Sequence, residues 1–173
     1  MAEKVKVLVP EEDVAKRIKE LGEQISKDYA GKEVHLICIL KGGVFFACEL
    51  AKRITVPVSL DFMQVSSYGD ATESSGIVPI KKDLDDTMEN KEVIIVEDII
   101  DSGRSMKHLL EYLHAKNPKQ VIVATLFHKP KAAVCQVPIA YKGIELENDF
   151  VVGRGLDYDG LGRNYPDLYI LNA

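Results

Sequence analysis

The sequence predicts an α/β fold in which a largely parallel, twisted sheet is flanked by helices. Short apolar runs such as 34–40, 93–96 and 121–127 have the length and the β-branched content of buried strands. Segments with apolar residues at helical spacing alternate with these runs, which is the order of a parallel sheet. The 173 residues contain neither an internal repeat nor a linker, so a single domain, 1–173, is expected.

The first predicted helix begins after Pro10. Val14, Ile18, Leu21 and Ile25 recur at helical spacing and form one apolar face. The acidic residues that directly follow Pro10 suit the positive end of a helix dipole.

The rest of the chain is divided by turns rich in glycine, proline and polar residues. The predicted elements are a strand at 34–40, a helix at 44–54, a strand at 56–65, a polar loop at 66–77, a charged connection at 80–90, a strand at 93–96, a helix from 106, and strands at 121–127 and 150–152. The glycine-rich tail from Gly153 is expected to be mostly loop.

Charge and composition exclude several classes of function. The net charge of −5 disfavours a nucleic-acid-binding role driven by bulk charge, so a polyphosphate ligand has to be attracted by particular cations or by a metal. The first residues lack the long apolar core of a signal peptide. Apolar runs are shorter than the ~20 residues that span a membrane. We therefore expect no membrane partner.

The cysteines suggest a reducing, cytoplasmic location, and the histidines do not have the spacing of a metal site. The chain has an odd number of cysteines, Cys38, Cys48 and Cys135, and no CxxC pair. The three are therefore expected to be free thiols. The four histidines are scattered without metal-site spacing and are interpreted as structural or surface residues.

Residues 93–106, VIIVEDIIDSGRSM, are the most informative segment. An apolar strand leads into Glu97 and Asp98, and a third acid, Asp101, opens a small-residue turn before a helix. Ligands of open α/β sheets bind at the carboxyl ends of strands, and a glycine-containing turn at a helix N-terminus favours phosphate. Carboxylates beside a phosphate site suit sugar hydroxyls or a divalent cation.

This segment resembles the phosphoribosyl-pyrophosphate (PRPP) motif of the type I phosphoribosyltransferases at every position of the motif. The resemblance implies that fold, with a small hood built from the chain termini. It also implies that Glu97 and Asp98 bind the ribose hydroxyls, directly or through Mg²⁺. The 5-phosphate would be bound by Asp101, Ser102, Gly103, Arg104 and Ser105. Asp101 would further act as the catalytic acid/base near the purine N7.

Two further segments resemble loops of the 6-oxopurine phosphoribosyltransferases. Lys41 and Gly42, after the first core strand, resemble the pyrophosphate-binding loop, in which the bond that corresponds to Leu40–Lys41 is often a non-proline cis peptide. Ser67 and Tyr68 resemble the signature of the lid that covers the reaction, because water would trap the cationic sugar.

The purine side of the resemblance lies near the C-terminus. Lys129 resembles the lysine that donates to the purine 6-oxygen, because an ammonium group has donors and no acceptor. Phe150 would stack on the base and the Val151 backbone would read its pyrimidine edge. The remaining implied roles are purine contact and metal binding by Asp157 and pyrophosphate binding by Arg163. Arg154 departs from the family, which has an aromatic residue at that position.

The resemblance covers about 34–166 and is specific to hypoxanthine–guanine-type phosphoribosyltransferases. It implies Mg²⁺-dependent transfer of the 5-phosphoribosyl group from PRPP to N9 of hypoxanthine or guanine, giving IMP or GMP and pyrophosphate in purine salvage. A homodimer or homotetramer is expected. The alternatives are a preference for xanthine or adenine, or an RNA-binding regulator on the same fold. A flavodoxin-like signalling domain is rejected because it needs an acid where Leu40-Lys41-Gly42 stands.

Overall fold

The computed structural model describes residues 5–66 and 78–171, with the Val5 side chain left out. The predicted lid residues Ser67 and Tyr68 therefore lie outside the described residues. Within the described ranges, no helix has the length and apolar character needed to cross a bilayer.

A six-stranded sheet forms the centre of the fold, in the order β4-β3-β2-β5-β6-β7. Neighbouring strands are parallel except for the pair β3 and β4. The strands are β2 (Val34–Ile39), β3 (Val58–Val65), β4 (Ile80–Lys82), β5 (Glu92–Ile100), β6 (Gln120–His128) and β7 (Tyr141–Glu145). The predicted largely parallel sheet is thus confirmed, although β4 and β7 were not predicted from the sequence.

Helices cover both faces of this sheet because alternate strand residues point to opposite sides. Leu36 and Cys38 of β2 pack in one core with α1 (Glu11–Asp28) and α2 (Gly43–Ala51). Ile37 and Ile39 pack in a second core with α3 (Arg104–His114). A short 3-10 helix, Pro130–Ala132, follows β6.

The two ends of the described chain form a second, three-stranded sheet in the order β1-β9-β8. Its antiparallel strands are β1 (Val5–Val9), β8 (Val151–Val152) and β9 (Leu168–Leu171). This sheet is the predicted hood. The tail from Gly153 is mostly loop, as expected, but it ends in β9, which is held by pairing with β1 at the other end of the described chain.

Strand β5 is longer than the sequence suggested, and its extra length positions the acidic residues. It pairs with β2 only as far as Val96 but continues beside β6 to Ile100. The strand does not end before Glu97, because buried Ile100 and half-buried Ile99 prolong its apolar pattern. Glu97 and Asp98 consequently lie on a strand that projects beyond the end of β2.

Candidate active site

A cavity of about 390 Å³ opens at the carboxyl edge of the central sheet. Most of the predicted polyphosphate-binding residues line it, so separate segments of the sequence meet in one place. The predicted residues in its wall are Lys41, Gly42, Glu97, Asp98, Asp101, Ser102, Gly103, Ser105 and Arg163. Arg104, Lys129, Phe150, Val151 and Asp157 are not part of the described lining.

At Gly42 the loop after β2 comes into contact with Asp98 of β5 and with Gly155 of the C-terminal tail. A Cβ atom added to Gly42 would lie 1.7 Å from Asp98 Oδ2 and 2.9 Å from the carbonyl oxygen of Gly155. Any side chain there would displace the acid, so only glycine allows the loop to approach it. The Leu40–Lys41 peptide bond that opens this loop is cis, as the resemblance implied.

Glu97 and Asp98 form a buried pair of like-charged groups. Burial and the charge of Asp98 raise the pKa of Glu97 well above its usual value. Burial also raises the pKa of Asp98, although hydrogen bonds from Glu97 and Ile99 and the charge of Arg163 oppose that shift. The pair has too few donors for two carboxylates and therefore favours a bound cation or hydroxyl groups.

The turn between β5 and α3 has the form of an anion site. Gly103 has φ 81°, in the left-handed region, and a Cβ there would lie 2.8 Å from the Cys135 carbonyl oxygen. This glycine places the N-terminus of the eleven-residue helix α3 at the cavity, where backbone N–H groups and the helix dipole favour phosphate. The Ser102 carbonyl accepts hydrogen bonds from Val134 and Cys135, which anchors the turn.

Asp101 and Lys129 are neighbours at the rim of the cavity. Lys129 Nζ lies 3.6 Å from Asp101 Oδ2, with the lysine side chain 10% exposed and the aspartate 55% exposed. The backbone N–H of Lys129 donates to the Ile100 carbonyl at 3.0 Å, which fixes the lysine beside the end of β5. The structure therefore brings the predicted base-reading cation next to the predicted acid/base.

The predicted purine-stacking residue presents an open aromatic surface. Phe150 is 54% exposed, and its ring meets the ring of Tyr158 edge-on at 5.8 Å between centroids. Its carbonyl accepts from Leu171, and Val151 after it is buried in β8. The hood thus holds the Phe150 backbone while more than half of the residue stays exposed.

Asp157 has a different arrangement from the acids of β5. Its Oδ1 lies 2.9 Å from Arg163 Nη2, and its Oδ2 accepts the Gly160 N–H at 2.8 Å. Arg163 also donates to the Gly155 carbonyl at 2.7 Å and reaches the cavity. Asp157 thus forms an ion pair with Arg163 and is not in contact with Glu97 or Asp98 among the described contacts. Its role in metal binding therefore stays a prediction.

Arg154 points away from the cavity. Its Nη2 donates to Glu49 Oε2 of α2 at 2.6 Å, and only 8% of the side chain is exposed. Its φ of 54° lies in the left-handed region. The departure from the family's aromatic residue is thus accommodated by an ion pair with α2.

The sequence analysis missed part of the cavity wall. Val65 and Ser66, at the carboxyl end of β3, line it together with Ile39 and Met106. A signal was available, since Ser66 is the first polar residue after a predicted strand whose end reaches the ligand-binding edge of the sheet.

Comparisons with known proteins agree with this geometry. Residues 5–159 match the family model described as phosphoribosyl transferase domain. The chain is 46% identical over 166 residues to a hypoxanthine-guanine phosphoribosyltransferase of Streptococcus thermophilus, covering 96% of this chain and 92% of that one. It is 48% identical over 168 residues to the same enzyme of Mycobacterium tuberculosis, covering 94% and 82%.

A solved structure gives the same answer for the fold. The crystal structure of a hypoxanthine-guanine phosphoribosyltransferase from Bacillus anthracis, with HEPES in its active site, superposes with a TM-score of 0.92 at 37% identity and covers 97% of this chain and 99% of that chain. The PRPP motif, the cavity around it and these matches together establish that the chain belongs to the phosphoribosyltransferase family.

Proposed function

We propose that this chain transfers the 5-phosphoribosyl group of PRPP to N9 of hypoxanthine, guanine or both, and releases pyrophosphate. The observation that carries the proposal is the single cavity in which the acid pair, the phosphate turn and the Lys41–Gly42 loop meet. Each of these segments suits one part of PRPP: the ribose hydroxyls, the 5-phosphate and the pyrophosphate. The named relatives match nearly the whole chain, which supports purine salvage.

The residues present fit a magnesium ion. Glu97 and Asp98 supply hard carboxylate oxygens, which Mg²⁺ prefers, and it usually binds through one or two carboxylates together with substrate phosphates. Burial raises the pKa values of both acids, and the charge of Asp98 raises that of Glu97 further; a bound cation would relieve this cost. When bound, Mg²⁺ would neutralise charge on the substrate.

The proposed chemistry is a displacement at C1 of the ribose. The bond from C1 to pyrophosphate breaks, the sugar gains oxocarbenium character, and the purine N9 forms the new bond. Nearby carboxylates stabilise that positive charge. The Asp101 carboxylate accepts the proton from N7, which makes N9 more nucleophilic. Arg163 and Lys41 hold the departing pyrophosphate.

The neighbouring positions of Asp101 and Lys129 support the base assignment. A 6-oxopurine presents O6 and N7 side by side on one edge. A lysine that donates to O6 and an acid that serves N7 must therefore lie close together, as these two do at 3.6 Å. Phe150, which is 54% exposed and directly precedes β8 of the hood, would stack on the purine ring.

Assembly and location complete the proposal. The expected homodimer or homotetramer would bury some of the exposed apolar side chains, among them Phe45, Tyr158 and Leu161. Sedimentation of the purified chain tests this assembly, and a single species with the mass of a monomer would contradict it. We further propose a cytoplasmic location, which the free thiols Cys38, Cys48 and Cys135 suit.

A PRPP-dependent assay across hypoxanthine, guanine, xanthine and adenine, with Mg²⁺ and with chelator, tests the function. We expect nucleoside monophosphate from hypoxanthine or guanine only when the cation is present. Failure with every base would contradict the proposal, and preferential use of xanthine would select that alternative. Retention on heparin or RNA at low salt, without turnover, would favour the RNA-binding regulator.

A further inference from the structure

A second group of possible metal ligands lies far from the cavity. One ring nitrogen of His35 and one carboxylate oxygen each of Asp61 and Asp86 are all within 4.8 Å of one another. We call these three residues the His35 cluster. His35 lies on β2, Asp61 on β3, and Asp86 in the connection between β4 and β5. His35 precedes Ile39 by four residues, which places it about 13 Å from the carboxyl end of β2.

The imidazole of His35 is an unpartnered polar group in a buried position. His35 is only 2% exposed, and its Nε2 has no hydrogen-bond partner among the described residues. Its Nδ1 lies 2.6 Å from Ser59 Oγ on the neighbouring strand. Ser59 therefore occupies one ring nitrogen and leaves Nε2 available to bind a cation. Such a second partner is a regular feature of metal-binding histidines, because it fixes the orientation of the ring.

The two carboxylates supply negative charge on a fixed framework. Asp61 is 2% exposed, and its oxygens accept hydrogen bonds from the backbone of Phe62, Asp85 and Asp86 at 2.7 to 3.3 Å. Although burial acts to raise it, these bonds bring the pKa of Asp61 below its usual value, so the group is ionised at neutral pH. Asp86 is exposed and leaves the cluster open to solvent.

The protonation state of His35 also suits a metal. Burial and the charge of Lys91 lower its pKa, against the opposing effect of Asp61 and Asp86. The imidazole is then neutral near pH 7, which is the form that binds a metal ion.

We propose that His35, Asp61 and Asp86 bind a divalent transition-metal ion of the zinc class and so tie the connection between β4 and β5 to the central sheet. One imidazole and two carboxylates are typical zinc ligands, and three protein ligands leave a position for water. Imidazole suits zinc and its neighbours, whereas magnesium prefers oxygen ligands alone. This site is separate from the acids of β5 and does not depend on the proposed activity.

The experiment measures Co²⁺ and Zn²⁺ binding to the chelator-treated full chain carrying Glu97→Gln and Asp98→Asn. Those substitutions remove the carboxylates of the cavity and leave the His35 cluster intact. We expect one equivalent of metal, a visible Co²⁺ absorption band, and broadening of the His35 ring signals in the NMR spectrum. Loss of all binding in this background would overturn the proposal.

Asp86 and Asp85 offer a matched pair of variants in the same background. Asp85 and Asp86 are both exposed, and changing either one to asparagine removes one negative charge. Only Asp86 belongs to the His35 cluster, because the Asp85 side chain pairs with Lys82 at 3.2 Å instead. Asp86→Asn should weaken metal binding at least about tenfold, since the loss of mere outer-shell partners already costs about 10–100-fold. Asp85→Asn should keep it. Equal loss in the two variants would show a diffuse charge effect and refute the site.

Discussion

Asp98 at the edge of the cavity and Asp61 in the His35 cluster are almost equally buried, at 8% and 2% exposure, yet their pKa values shift in opposite directions. Asp61 receives hydrogen bonds from three backbone N–H groups, and these outweigh the cost of burial. Asp98 also receives hydrogen bonds, from Glu97 and Ile99, but the cost of its burial outweighs them and raises its pKa. The balance between the cost of burial and the hydrogen bonds that each carboxylate receives therefore sets the direction of its pKa shift.

The difference also separates two uses of a buried acid. A carboxylate whose folded-state pKa is lowered stabilises the fold at neutral pH. Two carboxyl groups whose folded-state pKa values are raised lower the stability of the fold at neutral pH. A bound ligand can compensate for that loss of stability. Substitutions at the two places should consequently have opposite effects on stability and unequal effects on turnover.

The largest expected effect is at Asp101, the exposed acid that completes the cavity edge. Asp101→Asn should lower turnover about 10²–10⁴-fold, the usual contribution of a general acid or base, because the amide cannot accept a proton. PRPP binding should change little, since Gly103 and the helix N-terminus remain. Rapid-quench kinetics and PRPP titration separate the two quantities. A turnover near that of the unmodified chain would remove Asp101 from the acid/base role.

Removing the acid pair sharpens the comparison directly. Glu97→Gln with Asp98→Asn should weaken PRPP binding in Mg²⁺ by about 10–100-fold or more, because even outer-shell changes around a metal cost that much. A purely electrostatic account without metal predicts tighter binding, since repulsion falls. Calorimetric titration of PRPP in Mg²⁺ and in chelator distinguishes the two accounts, and equal affinity under both conditions would refute the metal role.

The same double variant has a stability readout. The pKa values of Glu97 and Asp98 are higher in the folded chain than in the unfolded chain, where they are about 4. The stability that these groups contribute is therefore present below about pH 4 and is lost as the pH rises through the folded-state values. Because the variant lacks these groups, it should unfold at higher denaturant concentration than the unmodified chain at pH 7 in chelator. A lower midpoint would show that the pair is not under repulsion.

Asp61→Asn should act in the opposite sense. It should lower the free energy of unfolding by about 1–3 kcal/mol at pH 7 in chelator, because the asparagine NH₂ group faces backbone donors that are left unpaired. The contribution of Asp61 is present above the unfolded pKa of about 3.9 and disappears as pH falls through the lower folded value. The two stability curves should therefore converge in acid. Asp85→Asn is the control, and parallel curves at all pH values would contradict the assignment.

The smallest expected effect distinguishes Lys129 and Phe150, the two residues predicted to contact the purine base. Lys129→Ala should raise the KM for hypoxanthine and guanine about tenfold, because it leaves the purine 6-oxygen without its donor. Phe150→Ala should weaken all purines alike, since stacking does not read the exocyclic group. Steady-state kinetics with each base measures both. Efficient use of adenine by the unmodified chain would contradict the role of Lys129.

Local patterns were enough to predict the parts of the fold in which neighbours in sequence are neighbours in space. The strand, turn and helix around Gly103 are of this kind, and so is α1. The end of β5 was misjudged because Glu97 and Asp98 look like the start of a loop, while continued pairing of Ile100 with His128 keeps the strand extended.

Non-local pairing explains most of the remaining differences. Strands β1 and β9 are short and have little periodicity of their own, so only their mutual pairing defines them. The His35 cluster likewise joins residues from three separate segments, and no spacing along the chain announces it. The role of Arg154 could not be predicted from the sequence, because its partner Glu49 lies on α2, far away along the chain.

The pairing of β1 with β9 also bears on how the chain is made. During synthesis the segment from β2 to β6 leaves the ribosome with its sheet partners close behind, so the PRPP turn can fold early. The hood cannot close until Leu168–Leu171 has emerged, because Val7 pairs with Tyr169. Contacts so distant in sequence also form slowly. A nascent chain is therefore expected to form the predicted phosphate-binding turn before the hood, next to which Phe150 lies.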